Sequence, residues 1–168
     1  MRHASPIRLL RQLPGAAMLA LLAGCGFQLQ GRMPMPAALQ VVHVQADDAQ
    51  SEYVQALRRS LIASGVQLRP AAAEGVAVLR VTRDGVGERV LTVSARNIPT
   101  DYELTYEVDV AVRAGDRELM PTERLSLSRV YSFDERQLLA KDREREGLVR
   151  AMAQDMAGMT LRRLAALQ

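Results

Sequence analysis

Tryptophan is absent, cysteine occurs once, and only two phenylalanines and four tyrosines are present among 168 residues. A core built from this composition rests on Leu, Val, Ala and Met rather than on stacked rings. The single cysteine excludes an internal disulfide. Beyond residue 24 there is also only one histidine, His43, so no zinc site of the usual ligand set is expected. Long apolar runs are missing too. The stretch LPGAAMLALLAG, residues 13–24, falls well short of the roughly 20 apolar residues that a membrane-crossing helix needs. G-x-S-x-G, the P-loop and H-E-x-x-H are all lacking. Asp84-Gly85 and Ala114-Gly115-Asp116 read as turns rather than phosphate loops, and KDREREG (141–147) alternates in sign like a solvated helix face. No cofactor, no metal and no catalytic residue is expected, and the chain does not read as an enzyme.

Acidic residues are missing from the start of the chain, where Arg2, Arg8 and Arg11 stand. The net charge of +3 comes entirely from there. Removing residues 1–24 takes three of the 22 basic side chains and leaves 19 against 19 acidic ones. A charge-balanced remainder lacks the basic excess of a nucleic-acid binder. The basic start, the short apolar run and Leu22-Ala23-Gly24-Cys25 together match the lipobox of bacterial lipoprotein precursors. That match implies a cleaved signal peptide over 1–24 and an S-diacylglyceryl, N-acyl modification at Cys25. Each buried methylene contributes about 0.8 kcal/mol, so two or three acyl chains anchor firmly. Gly26, rather than Asp, follows the cysteine, which resembles lipoproteins destined for the outer membrane. A lone cysteine committed to lipid leaves no thiol to mispair in an oxidising compartment.

Residues 25–38 carry Gly26, Gly31, Pro34 and Pro36 and are expected to form an extended, lipidated tether. A single domain is expected over 39–168. LQVVHVQA (39–46) reads as a strand. Asp47 and Asp48 offer caps to a helix near 49–64, with Tyr53, Val54, Leu57 and Leu61 on one face and Gly65 as its stop. VQL (66–68) is a brief strand or the lead into a loop. Three β-rich segments follow: 76–95 with a break or bulge near 84–87, 102–114, and 117–133. In 102–114, Tyr102, Leu104, Tyr106, Val108, Val110 and Val112 alternate with Glu103, Thr105, Glu107 and Asp109, the clearest strand pattern in the chain. From Asp134, a possible N-cap, to Leu167 a long helix is expected, with Leu148, Val149, Met152, Met156, Met159 and Leu164 facing the sheet and Gly147 and Gly158 as points of weakness. The predicted fold is an α+β two-layer sandwich, with two helices packed on one face of a small mixed or antiparallel sheet.

The opening CGFQLQG at Cys25 resembles the Cys-Gly-aromatic-x-Leu-Arg start of the LptE family of lipopolysaccharide-assembly lipoproteins, with Gln30 departing from the usual basic residue. ARNIPTDYEL (95–104) and SFDERQLLAKDREREGLVRAMAQDM (132–156) fit the same family in order. The resemblance implies a lipid-anchored protein of the outer membrane, on its periplasmic side, seated in the lumen of an LptD-like β-barrel and binding lipopolysaccharide. Matched motif to motif, it implies Arg96 and Lys141 as the cations that meet lipopolysaccharide phosphates, a task suited to Arg's planar donor fork. Arg80, Arg83 and Arg89 lie nearby without motif support. The competing reading is a lipoprotein scaffold or accessory subunit of another envelope complex, serving barrel assembly or a lipid-exporting ABC transporter.

Overall fold

The period-two pattern of 102–114 becomes the central strand of the fold. In the computed structural model, which describes residues 33–133 and 138–167, β4 runs Pro99–Ala114. Leu104, Tyr106, Val108, Val110 and Val112 are buried along one face of it, and the residues between them are partly exposed. β4 pairs antiparallel with β3 (Ala77–Val93) on one side and β5 (Arg117–Ser132) on the other. β1 (Val41–Ala46) lies parallel to β3, and the two-residue β2 (Gln67–Leu68) lies parallel to β1. The sheet order is β2-β1-β3-β4-β5. Parallel neighbours need a crossover. Helix α1 (Glu52–Ala63) supplies it between β1 and β2, and α2 (Leu138–Ala165) returns over the sheet after β5. The sandwich expected from the sequence is therefore the one found, and its sheet is mixed.

Both helices turn apolar stripes inward. Tyr53, Val54, Leu57 and Leu61 of α1 join Met152, Ala153, Met156, Ala157 and Leu164 of α2 in one core with the buried face of the sheet. Fully burying such side chains contributes roughly 1.5–3 kcal/mol each. One polar side chain, Thr160, is buried among the described residues. Its hydroxyl donates to the Met156 carbonyl at 3.1 Å, so the Tyr53 phenol, 2.8 Å away, is the donor of the bond that ties α1 to α2. Burial holds the Tyr53 hydroxyl protonated far above the ordinary tyrosine value. Gly65, at φ +89°, ends α1 as expected. Gly147 and Gly158 do not interrupt α2, and Asp134 lies outside the described residues. In the segment read as a tether, Met35 is buried in the core and Ala37–Leu39 form a 3₁₀ turn.

Two local details differ from the sequence reading. The first is the cap of α1. Its N-cap is Ser51, whose Oγ accepts from the Val54 amide at 3.1 Å, while Asp48 accepts from the Gln50 amide at 2.8 Å and closes a turn ahead of the helix. A serine can accept and donate at once, and the Ser51 hydroxyl donates to the Asp84 carboxylate on β3. The Tyr106 phenol donates to the same carboxylate at 2.8 Å. Burial, then the bond to Asp84 and its charge, push the Tyr106 hydroxyl well above its ordinary value.

The second detail is the irregularity in β3, which falls two residues before the Asp84-Gly85 pair. Val81 pairs with Val110 and Arg83 with Asp109, so Thr82 is an extra residue, and pairing continues unbroken through Gly85 and Gly87. Leaving one residue out of the ladder reverses the face of each later side chain relative to an unbroken strand of the same sequence. Before it, Leu79 and Val81 face the helices opposite Val112 and Val110; after it, Asp84, Val86, Glu88 and Val90 do so, opposite Val108, Tyr106, Leu104 and Tyr102.

The cap assignment has a direct test by chemical denaturation. Ser51→Ala is expected to destabilise the fold by about 1–2 kcal/mol, since cap and Asp84 bond go together. Asp48→Ala is expected to stay within about 0.5 kcal/mol of the unmodified chain. The reverse order would return the cap to Asp48.

Candidate functional site

The middle of the sheet face turned away from the helices carries a ladder of compensated charge, while Arg80 and Arg113, nearer the β4–β5 turn, have no ion pair among the described residues. Asp109 stands between Arg83 on β3 and Arg124 on β5, its register partners. Arg124 grips it with two bonds of 2.7 and 3.0 Å, and Arg83 lies at 3.6 Å while bonding Glu107 at 3.1 Å. Further along, Arg89 pairs with Glu103, and the hydroxyls of Thr105 and Ser128 meet at 3.0 Å. The Arg124 bond, assisted by the charges of Arg124 and Arg83, holds the Asp109 carboxyl below its ordinary range against the opposing effect of burial, which outweighs either charge singly. Exposed pairs of this kind contribute at most about 1 kcal/mol each. Their consequence is a wet, charge-neutral surface.

On the helix side, Glu88 is the hub. It accepts from the Tyr131 phenol at 3.1 Å and from Arg145 of α2 at 2.5 Å. Burial, followed by the Glu88 bond and charge, pushes the Tyr131 hydroxyl up to about 12. Arg129–Asp155 and Arg163–Glu123 fasten α2 to β5 further back. Glu88 and Arg145 were not anticipated from the sequence. A signal existed: the apolar phase of β3 runs through Ala77, Leu79 and Val81, then switches to Val86 and Val90.

Past Glu88 the β3–β4–β5 ribbon continues into a tip of different character. Val90, Leu91, Val93 and Val130 are 47, 44, 52 and 55% exposed. Tyr102 stacks on Tyr131 at 5.7 Å between ring centres and meets Phe133 edge-on at 5.4 Å. The turn from β3 to β4 is closed by the Ser94 amide bonding the Ile98 carbonyl at 2.8 Å, with Asn97 in the left-handed region at φ +59°. Arg96 projects from this turn, exposed and with no ion pair among the described residues.

Lys141 lies in the first turn of α2, which starts six residues after β5 leaves the sheet at Ser132, opposite Asp101. Arg96 and Lys141 thus sit at the same end of the molecule. They differ in availability: the Lys141 ammonium bonds Glu144 at 2.8 Å and its side chain is only 15% exposed. Arg83 and Arg89 are occupied by carboxylates, and Arg80 lies toward the opposite end of the sheet, opposite Ala111. Cys25 lies outside the described residues. No cluster of three or more metal-binding side chains occurs among the described residues, and no helix there is long and apolar enough to cross a membrane.

A family model described as LptE, lipopolysaccharide-assembly, matches residues 39–164. The chain belongs to that family. The match spans every strand and both helices, and membership gives the chain a part in lipopolysaccharide assembly. Among its relatives, the LPS-assembly lipoprotein LptE of Yersinia enterocolitica is 27% identical over 98% of this chain and 77% of its own length. That of Photorhabdus laumondii is 27% identical over 98% of this chain and 87% of its own. The crystal structure of rare lipoprotein B from Shewanella oneidensis superposes with a TM-score of 0.66 at 29% identity, covering 74% of this chain and 93% of that one. The solution structure of a lipoprotein B from Nitrosomonas europaea shares the fold at a TM-score of 0.70, with 24% identity over 84% of this chain and 91% of that one.

The electrostatics of the LptE-family ladder can be read by NMR titration. Arg124→Gln is expected to move the Asp109 titration back up toward the ordinary aspartate value. Asp109 contributes stability above the unfolded carboxylate range that is lost as pH falls through its depressed folded value, so the variant should also lose less stability over that window. An unchanged Asp109 titration would assign the depression to Arg83 instead.

Proposed function

We propose that this LptE-family chain is an outer-membrane lipoprotein, anchored through acylated Cys25, whose body fills the lumen of an LptD-like β-barrel and engages lipopolysaccharide through Arg96. The observation that carries the reading is the coexistence of a charge-compensated strip on the sheet face with Arg96 at the ribbon tip, exposed and with no ion pair among the described residues. The lumen of a transmembrane barrel is polar and wet. A plug suited to it satisfies its own charges and leaves no greasy belt, as the Arg83, Glu107, Asp109 and Arg124 ladder does. The balance of 19 basic and 19 acidic side chains beyond residue 24 also limits long-range repulsion on entry. The relatives are LPS-assembly lipoproteins, which supports the anchor and the substrate.

Binding needs a cation that is free to turn toward phosphate. Arg96 meets that condition; Lys141 contributes only by exchanging Glu144 for the ligand. Each phosphate contact then forms a charge-assisted bond of about 1.5–3 kcal/mol.

The test has two parts. Captured from detergent-solubilised outer membranes, the native protein is expected to begin at Cys25 with added acyl mass and to bring down one large β-barrel; a barrel-assembly machine or an ABC transporter in its place overturns the plug reading. In a direct assay, Arg96→Asp is expected to weaken lipopolysaccharide binding about tenfold or more. Because Arg96 is exposed and has no ion pair among the described residues, the same variant should keep its stability within about 0.5 kcal/mol. Unchanged affinity would remove Arg96 from the site.

A further inference from the structure

We propose that the apolar tip of the β3–β4–β5 ribbon is an acyl-chain site, holding fatty tails of the same phosphorylated glycolipid whose anionic groups Arg96 meets. The proposal rests on the lipopolysaccharide-binding reading above and names what the tip does within it.

Three observations converge there. The first is the placement of the exposed apolar side chains. Six large ones are more than 40% exposed among the described residues, and four of them, Val90, Leu91, Val93 and Val130, fall in the last strand residues before and beside one turn. A fifth, Leu139 at 78%, opens α2 at the same end. Scattered single exposures need no explanation, whereas a cluster at a protruding end does.

The second is that exposed apolar side chains emerge on both faces of the tip, between the Arg89–Glu103 pair and the hydroxyls of Thr92 and Thr100 beside Asp101. Val90 stands opposite Tyr102, on the helix side, and Val130 stands opposite Glu103, on the other. Leu91 is the extra residue where the register shifts between Val90 and Thr92. A groove in a folded partner would cover one face of such a ribbon. Flexible hydrocarbon chains can lie along both.

The third is the order of chemistry along the ribbon. On the helix side the charges end at Glu88 and Arg145; Val90 stands level with the rings of Tyr102 and Tyr131, and Leu91, Phe133 and Val93 lie beyond. Amphipathic rings sit where an apolar region meets a wet one. Beside these residues, the turn carries Arg96, which has no ion pair among the described residues. An uncompensated cation set against an exposed apolar surface complements a ligand that joins an anionic head to acyl tails, and that joint chemistry selects an amphiphile over a purely polar or purely apolar occupant.

The experiment uses the full chain in living cells. The photoreactive residue p-benzoylphenylalanine is placed singly at Val90, Leu91, Val130 and Ala95, the exposed neighbour of Arg96, with Arg59 on the exposed side of α1 as control. After irradiation, glycolipid adducts are expected at all four tip positions and not at Arg59. Glycolipid adducts at Ala95 alone, with the other three joined to protein or to leaflet phospholipid, would overturn the acyl-chain site while leaving lipopolysaccharide binding intact. No glycolipid adduct at any position would overturn both. As a second readout, Val90→Ser with Val130→Ser is expected to weaken binding of the acylated glycolipid about tenfold and to leave its deacylated form unaffected. An equal loss for both forms would contradict the proposal. Both side chains are about half exposed, so the fold should persist, as checked by circular dichroism.

Discussion

One extra residue, Thr82, determines what the far half of β3 presents to each side of the sheet. Paired as an ordinary strand residue, Thr82 would carry the phase of Leu79 and Val81 onward and send Arg83 and Arg89 under the helices. With Thr82 bulged out of the ladder, Asp84 reaches the Ser51 cap and the Tyr106 phenol, and Glu88 reaches Tyr131 and Arg145. The same reversal delivers Arg83 and Arg89 to the opposite face, where Glu107, Asp109 and Glu103 neutralise them. A single bulge therefore builds the cap of α1, the hub that holds α2 and the compensated ladder.

The resulting body is asymmetric in a way that suits a role in lipopolysaccharide assembly. Its apolar substance is sealed between helices and sheet, and the middle of its other sheet face carries matched charges. At the ribbon tip, Arg96, with no ion pair among the described residues, adjoins the exposed Val93 and its neighbours. The sealed core and this open tip thus belong to different stretches of the same three strands.

Much of this was legible in the sequence. The β4 alternation, the α1 stripe, the stop at Gly65 and the inward methionines of α2 are local periodicities, and each appears where its spacing placed it. What local pattern left open were choices settled by distant partners. Asp47 and Asp48 carry the side chains a cap needs, yet Ser51 takes the role because Asp84, 33 residues away, accepts its proton. The glycines near residue 85 marked an irregularity that pairing with β4 instead places at Thr82. Arg96 and Lys141 followed from motif resemblance alone, and only the fold distinguishes the free guanidinium from the ammonium already held by Glu144.

Deleting Thr82 and measuring amide hydrogen exchange along β3 tests this account most directly. Because Thr82 stands outside the pairing, its removal leaves Val81 opposite Val110 and Arg83 opposite Asp109, each on its present face, so residues 77–81 and 83–93 should keep their protection within about tenfold. Loss of protection throughout 83–93 in the shortened chain would contradict it, since Thr82 would then be shown to set those faces as an ordinary member of the ladder.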